Sequence, residues 1–119
     1  MREAFAHEAV LTLSAGADTA ALGAAVTMAL CGHWEHEPPC PLAPHHSAVT
    51  EAGDDVVLRT LFAVEPTGES EVRARITEAL AGGQLAGSED TTTRWRLRSS
   101  APSVVAAGER EHAERLTNS

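Results

Sequence analysis

Two kinds of apolar spacing divide this chain into an ordered series of strands and helices. Residues 5–13 end in an alternation that puts Leu11 and Leu13 on one face, which is the period of a strand. Residues 18–31 instead repeat apolar side chains every four positions, at Leu22, Val26 and Leu30. Four-residue spacing lines one face of a helix. The start of the chain therefore predicts a strand and then a helix that stops at Gly32.

Similar patterns run through the rest of the chain. Residues 47–52 and 56–64 predict two strands around a hairpin turn, 67–82 predict a second helix, and 93–98 predict a last strand. The order strand, helix, strand, strand, helix, strand is typical of the ferredoxin-like fold. We therefore expect one α+β domain over residues 1–101, with a four-stranded antiparallel sheet and two helices on one face. A polar tail with a short helix follows at 102–119.

Composition narrows the possible partners and location. The chain has 119 residues and a formal net charge of -8, and its nine basic residues are all arginine, a usage typical of GC-rich bacterial genomes. This length fits one domain. The negative charge disfavours nucleic acid and anionic membrane surfaces, since both need a concentrated positive field. Residues 1–8 lack the apolar core of a signal peptide, so we expect a cytoplasmic protein with reduced cysteines.

The segment between the first helix and the hairpin, residues 31–46, carries the side chains suited to metal chemistry. It holds both cysteines and four of the six histidines, in the pattern C-x-H-x₂-H-x₃-C-x₄-H-H. Thiolate and imidazole are preferred ligands of Zn(II), and four of them complete a tetrahedral shell. The prolines between them stiffen the segment and lower the entropy lost on binding. The six candidate ligands are Cys31, His33, His36, Cys40, His45 and His46.

The sequence favours a structural zinc site over a catalytic one. Cys31, His33, His36 and Cys40 lie closest together along the chain, and His45 or His46 can replace either of the two earlier histidines. No catalytic carboxylate pair, phosphate loop or nucleophile motif stands outside this segment. We therefore expect a small zinc-binding protein with a non-catalytic binding or adaptor role.

Two other functions fit the same sequence. The dipeptide Cys40-Pro41 is able to present an axial thiolate to haem, which gives a haem or metal sensor. A metal-free homodimer that uses the open sheet face needs no ligand cluster, and exposed apolar residues such as Val57 and Leu61 favour it.

A stripe of basic side chains accompanies the last strand. Arg94, Arg96 and Arg98 alternate along one face, and Arg59 extends the stripe. It suits an anionic ligand, but pairing with acidic residues such as Glu8 or Glu51 across the sheet accounts for it more simply.

Overall fold

The computed structural model of the protein describes residues 1–14, 17–31, 43–86 and 92–118. Five strands and three helices lie along these residues, and short 3₁₀ turns at Pro66–Gly68 and Ala107–Glu109 lead into the second and third helices. The strands are β1 (Glu3–Leu13), β2 (His45–Ala52), β3 (Asp55–Val64), β4 (Gln84–Ala86) and β5 (Thr92–Ser103). The helices are α1 (Ala20–Cys31), α2 (Glu69–Ala81) and α3 (Arg110–Thr117).

The observed sheet differs from the one that the sequence predicted. Within the described residues, five antiparallel strands in the order β2-β3-β1-β5-β4 form a curled half-barrel with three helices. The predicted four-stranded ferredoxin-like sandwich with two helices is therefore wrong. One added element is β4, whose three residues are too few to show a period of two. The other is α3, which packs on the sheet face that such a sandwich leaves open.

A β-bulge in β5 contributes to the curl of the sheet. Leu11 lies opposite Leu97 and Val10 lies opposite Ser99, so Arg98 is an extra residue in the ladder between β1 and β5. A bulge bends its strand and increases the local twist. It also shifts the alternation of faces by one residue, because two residues of β5 then oppose one of β1. Arg98, the last arginine of the stripe predicted from the sequence, is the bulged residue itself.

The main core lies on the front face of the sheet, which we define as the face packed against α1 and α2. Leu22, Val26 and Leu30 of α1 are almost fully buried there, as are Val72, Ile76 and Leu80 of α2. Both helices therefore bury the four-residue stripe that the sequence predicted. The indole Nε1–H of Trp95 donates a hydrogen bond to the carbonyl oxygen of Leu80 at 2.8 Å, which ties β5 to the end of α2.

A second, smaller core lies on the back face, the opposite side of the sheet. Ala6, Leu61 and Ala63 of the sheet form a buried cluster with Leu116 of α3. Amphipathic spacing in α3 turns Ala113 and Leu116 inward and leaves its charged side chains outside. No helix in the described part of the chain has the length and hydropathy needed to cross a bilayer.

Candidate functional site

His45 is held in a defined orientation where β2 begins. Its Nδ1 lies 3.1 Å from the carbonyl oxygen of Ala43, and its Nε2 lies 3.0 Å from the Thr27 hydroxyl of α1. A carbonyl oxygen only accepts hydrogen bonds, so Nδ1 carries the proton and donates it. In the neutral ring the Nε2 lone pair then points at the Thr27 hydroxyl, which donates. A His that donates from Nδ1 to a backbone carbonyl and presents Nε2 has the arrangement common among metal-ligating histidines.

The end of α1 runs alongside the start of β2. A Cβ added to Gly23 would lie 3.7 Å from the Cβ of Ser47, and Thr27, one helical turn later, contacts His45. Each turn toward the end of α1 therefore lies beside a residue two positions earlier in β2. Continuing this progression by one more turn brings position 31 level with residue 43. Cys31 is the last residue of α1. The backbone therefore brings Cys31 and His45 to the same end of the front face.

His46 lies on the other side of the sheet. Its partner across β3 is Leu61 of the back-face cluster, whereas the partner of His45 is Phe62 of the main core. The imidazole of His46 stacks on that of His112 in α3, with ring centroids 4.3 Å apart and planes tilted by 39°. Successive residues of a strand point to opposite faces. A single metal ion can therefore take His45 or His46 as a ligand, but not both.

Burial and two neighbouring side chains act on His112. Desolvation lowers the pKa of His112, and the adjacent His46 and Arg115 lower it further. The neutral form of His112 is thereby favoured in the stack.

Three of the six candidate ligands lie outside the described residues. These are His33, His36 and Cys40, together with the Cys40-Pro41 dipeptide of the haem hypothesis. Within residues 1–14, 17–31, 43–86 and 92–118, no three His, Cys, Asp or Glu side chains are close enough together to hold a metal ion. Of the six predicted ligands, the structure therefore places three: His45 and the backbone of Cys31 on the front face, and His46 on the back face.

A buried polar cluster that the sequence did not predict lies between β1, α2 and β5. His7 is only 3% exposed; its Nδ1 lies 3.0 Å from Nη1 of Arg73 and its Nε2 lies 2.7 Å from the Ser100 hydroxyl. Thr77 extends the chain of hydrogen bonds to Ser100 at 2.7 Å. The only signal in the sequence was the position of His7 on the apolar face of a predicted strand.

The chemistry of this cluster is structural. Arginine only donates hydrogen bonds, so Nδ1 of His7 accepts and Nε2–H donates to Ser100. A general base for Ser100 would need the reverse, with Nε2 accepting the hydroxyl proton. Burial, and then the charge of Arg73, lower the pKa of His7 from 6.5 to about 4. His7 is thus a neutral link in a buried network.

Arg59 is committed to neighbouring acids and is not available to an anionic ligand. Its Nη1 lies 3.0 Å from a carboxylate oxygen of Glu8, and its Nε lies 2.8 Å from one of Glu109. It also donates to the Ser103 hydroxyl and to the carbonyl oxygen of Val104. The hydrogen bond that Glu109 accepts from Arg59, and then the one it accepts from the backbone N–H of Ala106, lower the pKa of Glu109. Arg59 therefore fastens the segment that leads into α3 to the back face.

The comparisons with known proteins leave the function to be argued from the structure. No protein-family model matches the chain, and no curated protein matches it either.

Proposed function

We propose that the protein binds one Zn(II) ion at the end of α1, with His45 as a ligand through Nε2. The observation that carries this proposal is the orientation of the His45 ring, whose Nδ1–H is tied to Ala43 while Nε2 points at a replaceable hydroxyl of α1. A metal ion that displaces the Thr27 hydroxyl finds this imidazole already oriented, which lowers the entropy cost of binding.

The chain around His45 supplies the other ligands of the proposed site. Cys31 ends the same helix one turn after Thr27, and a thiolate there combines with imidazole in the donor set that zinc prefers. Cys40 and one of His33 or His36, which follow Cys31 closely in sequence, complete the proposed four-ligand shell. Four protein ligands saturate a tetrahedral ion, so the proposed role is non-catalytic binding in the cytoplasm, where thiols stay reduced.

Adjacent histidines provide a matched test of this proposal. Protein made without an affinity tag is titrated with Zn(II) against a chromophoric chelator, and bound metal is counted by elemental analysis. We expect about one zinc per chain. His45→Ala and Cys31→Ser should each weaken zinc binding at least tenfold, because each removes a direct ligand. His46→Ala should change it less than threefold, since that side chain faces α3.

The outcome also separates this function from its rival. A wild-type protein that takes up no zinc, or equal losses in the His45 and His46 variants, contradicts the site. Unchanged thermal stability after chelation would instead favour the second candidate function, a metal-free dimeric interaction module. One observation supports that candidate: Val10 and Val57 remain only half-buried on the back face. Leu61, which the sequence placed among the exposed residues of this face, is instead buried under α3.

A further inference from the structure

We propose that β2 is an open edge through which two copies of this chain pair, making one continuous antiparallel sheet. Among the described strands β2 contacts only β3, so its other side forms one edge of the sheet. An edge strand offers a row of N–H and C=O groups to another strand. This inference is independent of zinc, because it rests on the backbone of β2.

The groups that face the open side of β2 follow from its pairing with β3. The backbone N–H of Ala63 donates to the carbonyl oxygen of Pro44, so residues 44 and 63 form a hydrogen-bonded pair. Such pairs alternate in an antiparallel ladder, so residues 46, 48, 50 and 52 also bond to β3. The two-residue turn between Ala52 and Asp55 requires the same alternation. The N–H and C=O groups of Ser47, Val49 and Glu51 consequently point away from β3.

The other edge of the sheet is protected, whereas β2 is not. Beyond residue 95, β5 has no strand partner on its outer side within the described residues. That stretch carries Arg96, the bulged Arg98 and Pro102, and arginines, bulges and prolines all hinder strand addition. β2 has eight residues without proline, lysine, arginine or a bulge. The difference indicates that the edge at β2 is kept open for pairing.

A second copy fits this edge because β2 complements itself. Pairing about a two-fold axis is antiparallel, and the register centred on Val49 joins Ser47 to Glu51 of the second copy and the reverse. The backbones of Ser47, Val49 and Glu51 then exchange hydrogen bonds with those of the second copy. The acidic end of β2, with Glu51 and the turn that holds Asp54, also meets the exposed imidazole of His46 at the opposite end of β2 in the second copy. Imidazole carries an N–H donor in either charge state, so these ends are complementary.

Substitutions on β2 test the proposal through the dissociation constant of the dimer. Sedimentation equilibrium from 5 to 200 µM, in reducing buffer without metal, should give twice the chain mass of 12.5 kDa at the upper concentrations. Glu51→Pro removes an outward N–H without breaking a bond to β3, and we expect it to raise the dissociation constant at least fivefold. Glu51→Gln, which keeps the N–H, is its control.

A second pair of variants guards against a folding defect. Ala48→Lys adds a charge to an exposed side chain near the proposed axis, and Ser99→Lys adds the same charge to exposed β5. Ala48→Lys should also weaken the dimer at least fivefold, and Ser99→Lys should leave it within twofold. The proposal is overturned if the wild type is a monomer at every concentration. It is also overturned if Glu51→Pro or Ala48→Lys raises the dissociation constant less than fivefold while its circular dichroism matches that of the wild type.

Discussion

Buried His7 should make the stability of the protein depend on pH in a calculable way. Its pKa is lowered from 6.5 to about 4 in the folded chain, so between these values the unfolded chain binds more protons. Stability therefore falls as the pH drops through this window, is fully present above pH 6.5, and loses no more below about pH 4. The whole difference corresponds to about 3 kcal/mol, at about 1.4 kcal/mol for each pH unit.

Most of that loss should fall above the range in which exposed carboxylates titrate. Between pH 7.5 and 5.0 the same linkage relation gives a loss of about 2 kcal/mol in the free energy of unfolding. His7→Asn is the comparison, because its Oδ1 replaces Nδ1 as acceptor for Arg73 and does not titrate. The variant should be less stable at pH 7.5, since Ser100 loses its donor, but should show a flatter pH dependence.

Urea unfolding at half-unit pH intervals measures this difference. Far-UV circular dichroism and the fluorescence of tryptophan, including buried Trp95, follow the transition. The stability of the wild type minus that of the variant should shrink by about 2 kcal/mol between pH 7.5 and 5.0. A change below about 0.5 kcal/mol would refute the reasoning, because His7 would then titrate alike in the folded and unfolded chain.

Three further perturbations have predicted outcomes. Arg59→Met should lower the free energy of unfolding by about 1–2 kcal/mol, a value reduced because the ion pairs are partly exposed. Hydrogen-exchange NMR should show that amide exchange is accelerated more in α3 than in α1, and equal changes in both helices would contradict the role of Arg59 in holding α3. Gly83→Ala should lower the melting temperature more than Gly53→Ala. Both glycines have positive φ, but only at Gly83 would an added Cβ lie 3.1 Å from the Trp95 carbonyl oxygen. Equal decreases in melting temperature would argue against crowding at Gly83. Phe62→Ala should cost about 3–5 kcal/mol in urea unfolding, because the side chain is fully buried, and a cost below about 1 kcal/mol would mean that the core closes around the gap.

Local periodicity predicted the elements of this fold better than their arrangement. The helices expected at 18–31 and 67–82 are present as α1 and α2, and the alternating segments are strands. Such patterns are visible because each element buries one face. The three-residue β4 and the bulge at Arg98 have no comparable signal, since both depend on pairing with a distant strand. The fold class was wrong because neither β4 nor the curl was predicted, and because α3, expected only as a short helix in a polar tail, packs on the sheet.

The candidate site shows the same limit for side chains. The sequence grouped His45 and His46 with four other ligands because spacing along the chain was the available measure. It gave no role to His7, whose partners Arg73 and Ser100 are 66 and 93 residues away along the chain. Proximity of that kind arises from helix packing and strand order. Period-two alternation separates His45 from His46 because β2 begins at His45, two residues before the predicted strand.

The register of β2 on β3 decides which of the two imidazoles, that of His45 or that of His46, faces α1. The turn at Gly53 and Asp54 pairs Ala52 with Asp55, and this fixes every residue of β2 against β3. A slip of one residue would turn every side chain to the opposite face, so that His46 would point toward α1 and His45 toward α3. Two neighbouring histidines that look equivalent in the sequence are therefore unequal in the fold. Any metal centre on the α1 side can include His45 and must exclude His46.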